Sequence, residues 1–317
     1  MGAHSQTLFE TPQDLLDAFN AALGTEHVRT NEPMSNHTTF KIGGPARLFL
    51  NPNSVETIQE AMRIIHENNL SWMVIGQGSD LLFSDEGFDG VIVEVGPEFS
   101  KAHVNGNTVI AQAGISMGTL ADICAKAGLS GFEFACGIPG TLGGGIFMNA
   151  GAYGGQMSDV VESATILLPS GDLEEVVFTG EDFGYRKSPI AQRGVVVLEA
   201  RLKLTPDNPE EIKARISDLM ERRSSKQPLE LPSGGSTFKR PEGHYASALI
   251  DQAGLKGFQI GGAAVSTKHA GFVVNIDNAS AADVHNVIHH VQKTVWDKFG
   301  VQLEPEVHIV PSQIKPE

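Results

Sequence analysis

The segment LPSGGSTFKRP, residues 231–241, holds hydroxyl side chains, two adjacent glycines and two cations in one short stretch. Glycine lets the backbone adopt conformations that bring a neighbouring side chain close to a ligand. A serine such as Ser236 can then donate a proton, and Lys239 or Arg240 can stabilise the negative charge that results. The same composition is also typical of a polar turn whose hydroxyl caps its own loop. Taken alone, the segment is compatible with both interpretations.

A first glycine loop, GQGSDLLF at residues 76–83, follows the apolar stretch 72–75. A Rossmann dinucleotide motif requires a third small residue three positions after the second glycine, but Leu81 occupies that position. A strand predicted at 91–95 leaves no room for the helix that would receive a pyrophosphate, and no glycine run continues as a Walker A loop. The loop is therefore either a tight turn or a nest of backbone N–H groups that binds phosphate with the Ser79 hydroxyl.

A second glycine-rich stretch, GIPGTLGGGIFMNAGAYGG, spans residues 137–155. Glycine accounts for 35 of the 317 residues, about 11% against a usual ~7%, and the excess is concentrated here. Residues 143–150 have the pattern of a helix start, whose free N–H groups and dipole favour an anion. Two loops suited to anions predict a ligand that carries a diphosphate.

Hydrophobic periodicity predicts the elements that must position these loops. A first helix is expected to begin at Thr11-Pro12, with Thr11 as its cap, and to end at Gly24. Two further helices are expected to be capped by Ser54 and Ser116. Strands are predicted at 46–51, 72–75, 91–95, 108–112, 163–168, 173–178 and 195–204.

A domain boundary is expected at 205–210, TPDNPE, where Asn208 and Pro209 begin a polar helix. Later elements are predicted as a short helix at 244–253, strands near 258–265 and 272–276, a long helix at 280–299 and a final strand at 301–310. Alternation in the final strand places one set of residues inward: Val301, Leu303, Val307 and Ile309. The opposite face carries Glu304, Glu306 and His308. Periodicity does not decide whether that face meets solvent or a site.

Length and composition restrict the class of protein. A chain of 317 residues with 41% hydrophobic and 19% charged residues is expected to form two or three globular domains. No run of about 18 apolar residues is present that would span a bilayer. The net charge of −15 argues against general binding to nucleic acids or anionic membranes, so small molecules are the expected partners.

The compartment is predicted from the N-terminus and the cysteines. Residues 1–16, MGAHSQTLFETPQDLL, contain no basic segment followed by an apolar one, so we expect no secretory signal. Cys124 and Cys136 are too few for a disulfide framework. The histidines lack metal-ligand spacing, and His289 and His290 are expected on the solvated side of the last helix. We predict a cytoplasmic protein without a metal site.

Five motifs in order are similar to those of a known family. They are GQGSDLLFSD (76–85), CGIPGTLGGGIFMNAGAYGG (136–155), FGYRKSPI (183–190), PSGGSTFKRP (232–241) and LEPEV (303–307). Together they resemble UDP-N-acetylenolpyruvoylglucosamine reductase, a flavoenzyme family of bacterial peptidoglycan precursor synthesis. The resemblance runs from about residue 34 to 310 and favours the subclass with the shorter C-terminal domain.

The resemblance implies an α+β fold with three parts. Two lobes of the vanillyl-alcohol-oxidase type would hold FAD noncovalently, and a C-terminal α+β domain would bind the sugar nucleotide. We therefore expect FAD-binding lobes at 1–95 and 96–206 and a substrate-binding domain at 207–317. The implied biological roles are cell wall biogenesis, cell shape and cell division in the cytoplasm.

The implied reaction has two halves. NADPH reduces FAD and leaves, after which UDP-N-acetylglucosamine enolpyruvate receives hydride on its vinyl ether and a proton from the enzyme, which gives UDP-N-acetylmuramate. Hydride addition to the terminal vinyl carbon leaves negative charge that is delocalised onto the carboxylate. The protein must therefore stabilise an enolate and protonate its carbon.

The resemblance assigns roles to individual residues. Ser236 is implied as the proton donor, Arg186 as the cation facing the substrate carboxylate, and Glu306 as an aid to charge stabilisation or proton delivery. The implied substrate-binding residues are Tyr185, Lys239 and Arg240. The implied FAD-binding residues are Ile75, Gly76, Gln77, Gly78, Ser79, Asp80, Gly114, Gly137, Pro139, Gly140, Thr141 and Gly144.

Two positions depart from the family pattern. Asp80 stands where Asn is usual, which places a carboxylate near the expected flavin diphosphate, where repulsion weakens binding unless the side chain turns away. His308 stands where Arg is common after the Glu-Val pair, which puts in doubt the substrate contacts expected from that strand.

Two other functions compete with this interpretation. The nearest is another FAD-dependent oxidase or dehydrogenase of the same fold, although such enzymes often tether FAD through histidine or cysteine and no matching tether is found. The second is a nucleotide-sugar-binding protein that has lost turnover. Binding alone does not need Ser236, Arg186 and Glu306 together, so their joint presence argues against it.

Overall fold

The computed structural model describes residues 8–311, so seven N-terminal and six C-terminal residues lie outside the description, including part of the segment in which no signal is expected. The helices are α1 (Gln13–Leu23), α2 (Val55–Glu67), α3 (Met117–Lys126), α4 (Leu142–Phe147), α5 (Pro209–Lys226), α6 (Ala246–Gln252) and α7 (Ala281–Phe299). The larger strands fall into three sheets that follow one another along the chain. No helix in the described ranges combines the length and apolar character needed to cross a bilayer.

The first ten strands precede α5, and most of them belong to the first two sheets. They are β1 (Val28–Pro33), β2 (Pro45–Leu50), β3 (Trp72–Ile75), β4 (Leu81–Phe83), β5 (Phe88–Glu94), β6 (Ala102–Asn105), β7 (Thr108–Gln112), β8 (Leu129–Ser130), β9 (Gly151–Ala152) and β10 (Gly155–Gln156). The remaining strands are β11 (Val161–Leu167), β12 (Leu173–Val177), β13 (Val196–Lys203), β14 (Thr205–Pro206), β15 (Gln259–Ile260), β16 (Ala263–Val265), β17 (Val273–Asn275) and β18 (His308–Val310).

The first sheet has the order β1-β2-β5-β3, with β1 antiparallel to β2 and the other neighbours parallel. α2 begins after Ser54, whose hydroxyl accepts a hydrogen bond from the Thr57 N–H, as the capping pattern predicts. α1 begins one residue later than expected. Pro12 takes the cap position, and the Thr11 hydroxyl is buried without a partner among the described residues, so the prediction of a Thr11 cap is wrong.

The second sheet is fully antiparallel, with the order β12-β11-β13-β7-β6. In β13 the predicted inward residues are buried: Val196, Leu198, Ala200 and Leu202. These side chains join those of α1, α2 and α3 in one continuous hydrophobic core. The core thus connects the first two sheets, and the ends of both sheets border the cleft described below.

The third sheet, β15-β16-β17, packs against α6 and α7. α7 starts after Ser280, which forms a reciprocal capping box with Asp283. The core of this region also contains Phe40, Ile42 and Leu82, which come from the first part of the chain. The C-terminal region is therefore completed by residues more than 150 positions away in sequence.

The final strand is shorter than predicted. Only His308–Val310 is extended and paired, parallel to β4, while an isolated bridge joins Pro305 to Phe238 and the chain bends at Val307. The bend interrupts the alternation, so Val310 is buried and Ile309 is exposed, contrary to the prediction for Ile309. Single-strand periodicity failed here because two different partners hold the two halves of the segment.

Candidate active site

A cleft of about 510 Å³ lies between the ends of the first two sheets and the C-terminal region. Its wall combines both glycine-rich loops with Ser236, Arg186 and Glu306. The volume is within the usual range of ligand and cofactor sites. The cleft is therefore the place where the sequence motifs meet.

The first glycine loop presents a row of backbone donors to the cleft. The N–H groups of residues 76–79 donate to no acceptor in the part of the chain that the structure describes. Gly78 has a φ of 59°, and a Cβ added there would lie 2.2 Å from the His37 carbonyl oxygen, so only glycine fits. Consecutive free N–H groups form a concave anion site.

The second glycine loop contacts the first. The Gly140 N–H donates to Gln77 Oε1 at 3.0 Å, and Gly140 has a φ of 133°. The expectation of free N–H groups at the start of α4 is wrong. Leu142 N–H donates to the Ile115 carbonyl and Gly143 N–H to the Ala113 carbonyl, while Gly144 N–H donates to the capping Thr141 hydroxyl. Among the described residues of the two loops, the run of consecutive free N–H donors is thus in the first loop.

The expected FAD-binding residues occupy two kinds of place. Those that line the cleft are Ile75, Gly76, Gln77, Gly78, Ser79, Asp80, Pro139, Gly140, Thr141 and Gly144. Gly114 lies behind the wall, where a Cβ would be 2.0 Å from the Gly96 carbonyl oxygen. Gly137 leaves room for Arg223, whose Cδ would be 2.7 Å from an added Cβ. An unpaired N–H nest beside a long, largely apolar cleft fits a flavin dinucleotide.

Ser236 lies in the cleft on a loop that is tied down on both sides. The next residue, Thr237, is fully buried, and its N–H donates to the Gly271 carbonyl while its hydroxyl accepts from the Val273 N–H. Gly235, with a φ of 77°, has no atom within 4 Å of an added Cβ and opens space before the serine. The Ser236 hydroxyl makes no hydrogen bond to another described residue and is available to a ligand.

Arg186 and Glu306 form an ion pair at the cleft. Arg186 Nε donates to Glu306 Oε1 at 2.7 Å, and the Tyr185 hydroxyl donates to Glu306 Oε2 at 3.1 Å. Arg186 sits in a tight turn with a φ of 54°, which is uncommon for a residue other than glycine. Burial and the Glu306 charge raise the pKa of Tyr185, so its hydroxyl stays protonated.

Glu306 is also linked to the serine loop. The Glu306 N–H donates to the Thr237 carbonyl at 2.8 Å, and the Lys239 N–H donates to the Glu304 carbonyl at 2.9 Å. The two segments therefore run antiparallel past each other. This pairing and the Arg186–Glu306 ion pair together bring the predicted catalytic residues from three separate motifs to one site.

Asp80 lies at the junction between the first glycine loop and this ion pair. Its carbonyl accepts from the His308 N–H at 2.8 Å, next to the β4–β18 pairing. Burial raises the pKa of the Asp80 carboxyl, His308 and Arg186 oppose that rise, and Glu306 adds to it. The two residues that depart from the family pattern, Asp80 and His308, thus interact with each other and with the ion pair.

A second cavity of about 400 Å³ adjoins the first. Arg186, Glu306 and His308 line both cavities, and Lys239 lines only the second. Arg240 lies outside both walls, where its guanidinium stacks over the Tyr245 ring at 4.2 Å. A ligand that occupied both cavities would pass directly over the Arg186–Glu306 pair.

Three residues of the site were not predicted from the sequence. The Thr39 hydroxyl lies between the Ser79 and Ser233 carbonyls, and Arg223 and Gln227 line the cleft from the end of α5. No local motif marks Thr39, because both of its contacts are distant in sequence. The one signal for Arg223 and Gln227 is their spacing of four residues at the end of a predicted helix, which puts them on one face.

Family models match two parts of this chain. Residues 46–176 match an FAD binding domain, and residues 227–310 match the C-terminal domain of UDP-N-acetylenolpyruvoylglucosamine reductase. The first match contains both glycine loops. The second contains Ser236 and Glu306.

Relatives match almost the whole chain. A UDP-N-acetylenolpyruvoylglucosamine reductase of Alkaliphilus metalliredigens is 48% identical over 298 residues, which is 94% of this chain and 98% of the relative. One of Limosilactobacillus reuteri is 49% identical over 90% of this chain and 96% of the relative. The crystal structure of the Thermus caldophilus reductase superposes with a TM-score of 0.76 at 33% identity, covering 88% of this chain and 97% of that one.

Proposed function

The chain belongs to the UDP-N-acetylenolpyruvoylglucosamine reductase family, and from this premise we propose how its residues carry out the reaction. It is an FAD-dependent oxidoreductase that uses NADPH to reduce UDP-N-acetylglucosamine enolpyruvate to UDP-N-acetylmuramate, a peptidoglycan precursor. Its fold is α+β, with a two-lobed FAD-binding part of the vanillyl-alcohol-oxidase type and a C-terminal domain.

When bound, FAD supplies the redox chemistry: it accepts hydride from NADPH and delivers it to the vinyl ether of the substrate. The residues proposed to hold FAD are those of the two glycine loops that line the cleft. The free N–H groups of residues 76–79 would take the diphosphate. The half-buried Trp72, Met73 and Val74 would cover apolar surface of the cofactor.

Ser236 is proposed to donate the proton. The observation that carries this role is that the only groups of the PSGGSTFKRP motif lining the cleft are Gly234, Gly235 and Ser236, among the residues that the structure describes. An alkyl alcohol is a weak acid in water, but the species it meets here is a carbanion stabilised as an enolate. Arg186, which lines the same cleft, would reduce the cost of the alkoxide left behind.

Arg186 is proposed to bind the substrate carboxylate and to stabilise the charge that accumulates there. A guanidinium can hold a carboxylate through two parallel hydrogen bonds, and one face of Arg186 remains accessible in the cleft. Glu306 holds Arg186 through Nε and so orients it. Arg186 and Glu306 also border the second cavity, which we assign with Lys239 to the sugar nucleotide. Tyr185 and Arg240 are proposed to act at the same end.

We propose that the enzyme works in the cytoplasm and contributes to cell wall biogenesis, cell shape and cell division. We also propose that its functional parts divide at 95/96 and 206/207. UDP-N-acetylglucosamine enolpyruvate and NADPH are proposed as the molecules that the cleft and the second cavity receive in turn.

The proposed reaction is tested by an anaerobic visible spectrum of the purified protein. NADPH should bleach the flavin absorption, and the sugar nucleotide added to the same cuvette should restore it. A flavin that is bleached but not restored by this substrate would contradict the proposed second half-reaction. The absence of a flavin band, even after addition of FAD, would contradict the cofactor assignment.

A further inference from the structure

The end of α5 contributes two polar side chains to the cofactor cleft. Arg223 and Gln227 both line its wall, although α5 lies in the sequence after the second sheet and before the serine loop. The Gln227 N–H donates to the Arg223 carbonyl, which closes the helix between them. Neither residue belongs to a motif that the sequence singled out.

The positive charge of Arg223 has no carboxylate counter-ion among the described residues. Burial lowers the pKa of its guanidinium, with Tyr153 and Cys136 opposing the change, and no carboxylate within residues 8–311 forms an ion pair with it. Other arginines of the same helix are paired. Arg215 contacts Glu133 and Asp207, and Arg222 lies 2.8 Å from Asp218. Because a half-buried cation without a counter-ion is unfavourable, Arg223 is expected to meet an anion in the cleft.

The absence of a side chain at Gly137 leaves space for the Arg223 side chain. A Cβ at Gly137 would lie 2.7 Å from Arg223 Cδ and 3.4 Å from its Nε. Gly137 does not have a positive φ, so its backbone conformation does not by itself require glycine. Its lack of a side chain is therefore explained by the space that Arg223 occupies.

Among the described residues, Gln227 lacks a hydrogen-bond donor for its side-chain oxygen, just as Arg223 lacks an anion. Its Oε1 is buried and accepts no hydrogen bond from any residue that the structure describes. The large majority of buried acceptors in proteins accept a hydrogen bond, so we expect a ligand to bring a donor to this atom. An anion for Arg223 and an N–H or O–H donor for Gln227, about one helical turn apart, are both present in a nucleotide.

We infer that Arg223 and Gln227 bind FAD, Arg223 through a phosphate oxygen and Gln227 through a hydroxyl or amino donor of the nucleotide. The inference rests on the FAD dependence of the proposed function. It adds α5 to the cofactor site, so that FAD is held by the first sheet, the second glycine loop and the helix that leads into the C-terminal region. FAD binding then links these three parts of the chain.

The test compares Arg223→Gln with Arg222→Gln. Both changes remove one positive charge from neighbouring positions of α5, but Arg222 is exposed and paired with Asp218. FAD is titrated into each apoprotein, and the Kd is measured from flavin fluorescence. Arg223→Gln is expected to weaken FAD binding by about 10- to 100-fold, and Arg222→Gln by no more than about twofold.

Gln227→Leu provides an independent variant. It replaces the unsatisfied oxygen by methyl groups, so the apoprotein should unfold at the same temperature as wild type or higher, while the FAD Kd rises about 5- to 20-fold. A purely structural role would give the opposite pattern, with a lower unfolding temperature of the apoprotein and an unchanged Kd. That result would overturn the inference.

Three further outcomes separate this inference from the proposed function. If wild type binds FAD and both variants bind it equally well, Arg223 and Gln227 are not FAD ligands, but the flavoenzyme assignment stands. The same conclusion follows if the variants change only the affinity for NADPH. If wild type itself does not bind FAD, the proposed function fails first.

Discussion

Glu306 connects more of the candidate site than any other side chain named from the sequence. Its two oxygens accept from Arg186 and Tyr185, and its N–H donates to the Thr237 carbonyl next to Ser236. The carboxylate therefore fixes the guanidinium, whereas the backbone fixes the serine loop. An isosteric substitution of Glu306 removes the charge of its side chain and keeps its backbone contact, so the two effects can be measured separately.

Glu306→Gln should slow the reduction of the enolpyruvyl substrate by about 100-fold, while reduction of the flavin by NADPH stays within about twofold of wild type. The amide keeps the shape but loses the charge that orients Arg186. Single-turnover absorbance measures both steps separately. Glu304→Gln is the matched control, because Glu304 is exposed and contacts only Lys239 among these groups. Equal losses in the two steps would argue against a role confined to the substrate.

His37 gives the fold a pH dependence that can be measured without substrate. Its Nε2 lies 2.9 Å from Glu32 and its Nδ1 lies 3.6 Å from Glu94, and the ring packs on Phe49. Burial opposes protonation, but hydrogen bonds and charges from Glu94 and Glu32 outweigh it and raise the His37 pKa above 6.5. The stabilisation is complete below the unfolded pKa and is lost as pH rises through the folded value.

His37→Gln should therefore lower the unfolding temperature more at pH 6 than at pH 9. Thermal unfolding of wild type and variant at the two pH values measures this difference. His285→Gln, at an exposed position of α7, controls for general effects of removing a histidine. A difference that is the same at both pH values would show that the charged form of His37 does not stabilise the fold.

At the residue scale, the sequence predicted which motifs meet better than it predicted their individual contacts. The motifs correctly brought Ser236, Arg186 and Glu306 to one cleft, and their catalytic roles stay predictions. Free N–H groups were expected at both glycine loops, and the expectation is wrong for the start of α4. The second loop loses its free donors to the Ala113 and Ile115 carbonyls, and such partners, about 30 residues away, cannot be inferred from local spacing.

At the scale of elements, residues 37–42 join the first glycine loop (76–83) to the serine loop (231–241). The Thr39 hydroxyl lies 3.1 Å from the Ser79 carbonyl and 2.7 Å from the Ser233 carbonyl, and the Ser233 N–H donates to the Thr39 carbonyl. The Phe40 ring packs where a Cβ on Gly234 would be 2.4 Å from it. This segment sets the position of the two loops relative to each other.

Thr39→Val should leave flavin reduction by NADPH within about twofold and slow the substrate half-reaction by about tenfold. Loss of the hydroxyl leaves two carbonyls without their donor, at about 1 kcal/mol, and small displacements of a reacting group are costly in rate. Thr39→Ser keeps the hydroxyl and should restore the rate. If Ser and Val behave alike, the hydroxyl does not position the serine loop.

Element prediction succeeded where one face of an element meets one core. The predicted Ser54 and Ser116 caps are present, and α5 and α7 begin directly after Asn208 and Ser280, close to where they were predicted, because such signals lie in residues adjacent in sequence. It failed at 301–310, where Pro305 pairs with the serine loop and His308 with β4. The partners of a strand are a property of tertiary structure, so a single-strand pattern could not find the bend between them.

At the scale of the whole molecule, the C-terminal region depends on the rest of the chain. Phe40, Ile42 and Leu82 are buried in its core, each no more than 2% exposed. Deleting one buried side chain of this size costs about 2–5 kcal/mol, and an entire protein is stable by about 5–15 kcal/mol. We therefore expect that the proposed division at 206/207 does not separate independent folding units.

A fragment of residues 207–317 should consequently fail to show a cooperative unfolding transition. Urea titration followed by near-ultraviolet circular dichroism is the measurement, with the full chain as control. Because three core side chains are missing, we expect weak signals and a broad transition. A sharp transition at the midpoint of the full chain would contradict this account of the core.

Protonation of the substrate by Ser236 is tested by the two half-reactions of Ser236→Ala under anaerobic conditions. Flavin absorption is followed first on mixing with NADPH and then on mixing with UDP-N-acetylglucosamine enolpyruvate. We expect bleaching at the wild-type rate and a recovery slower by about 10²- to 10⁴-fold. Recovery at the wild-type rate would contradict it, since the proton would then come from another group.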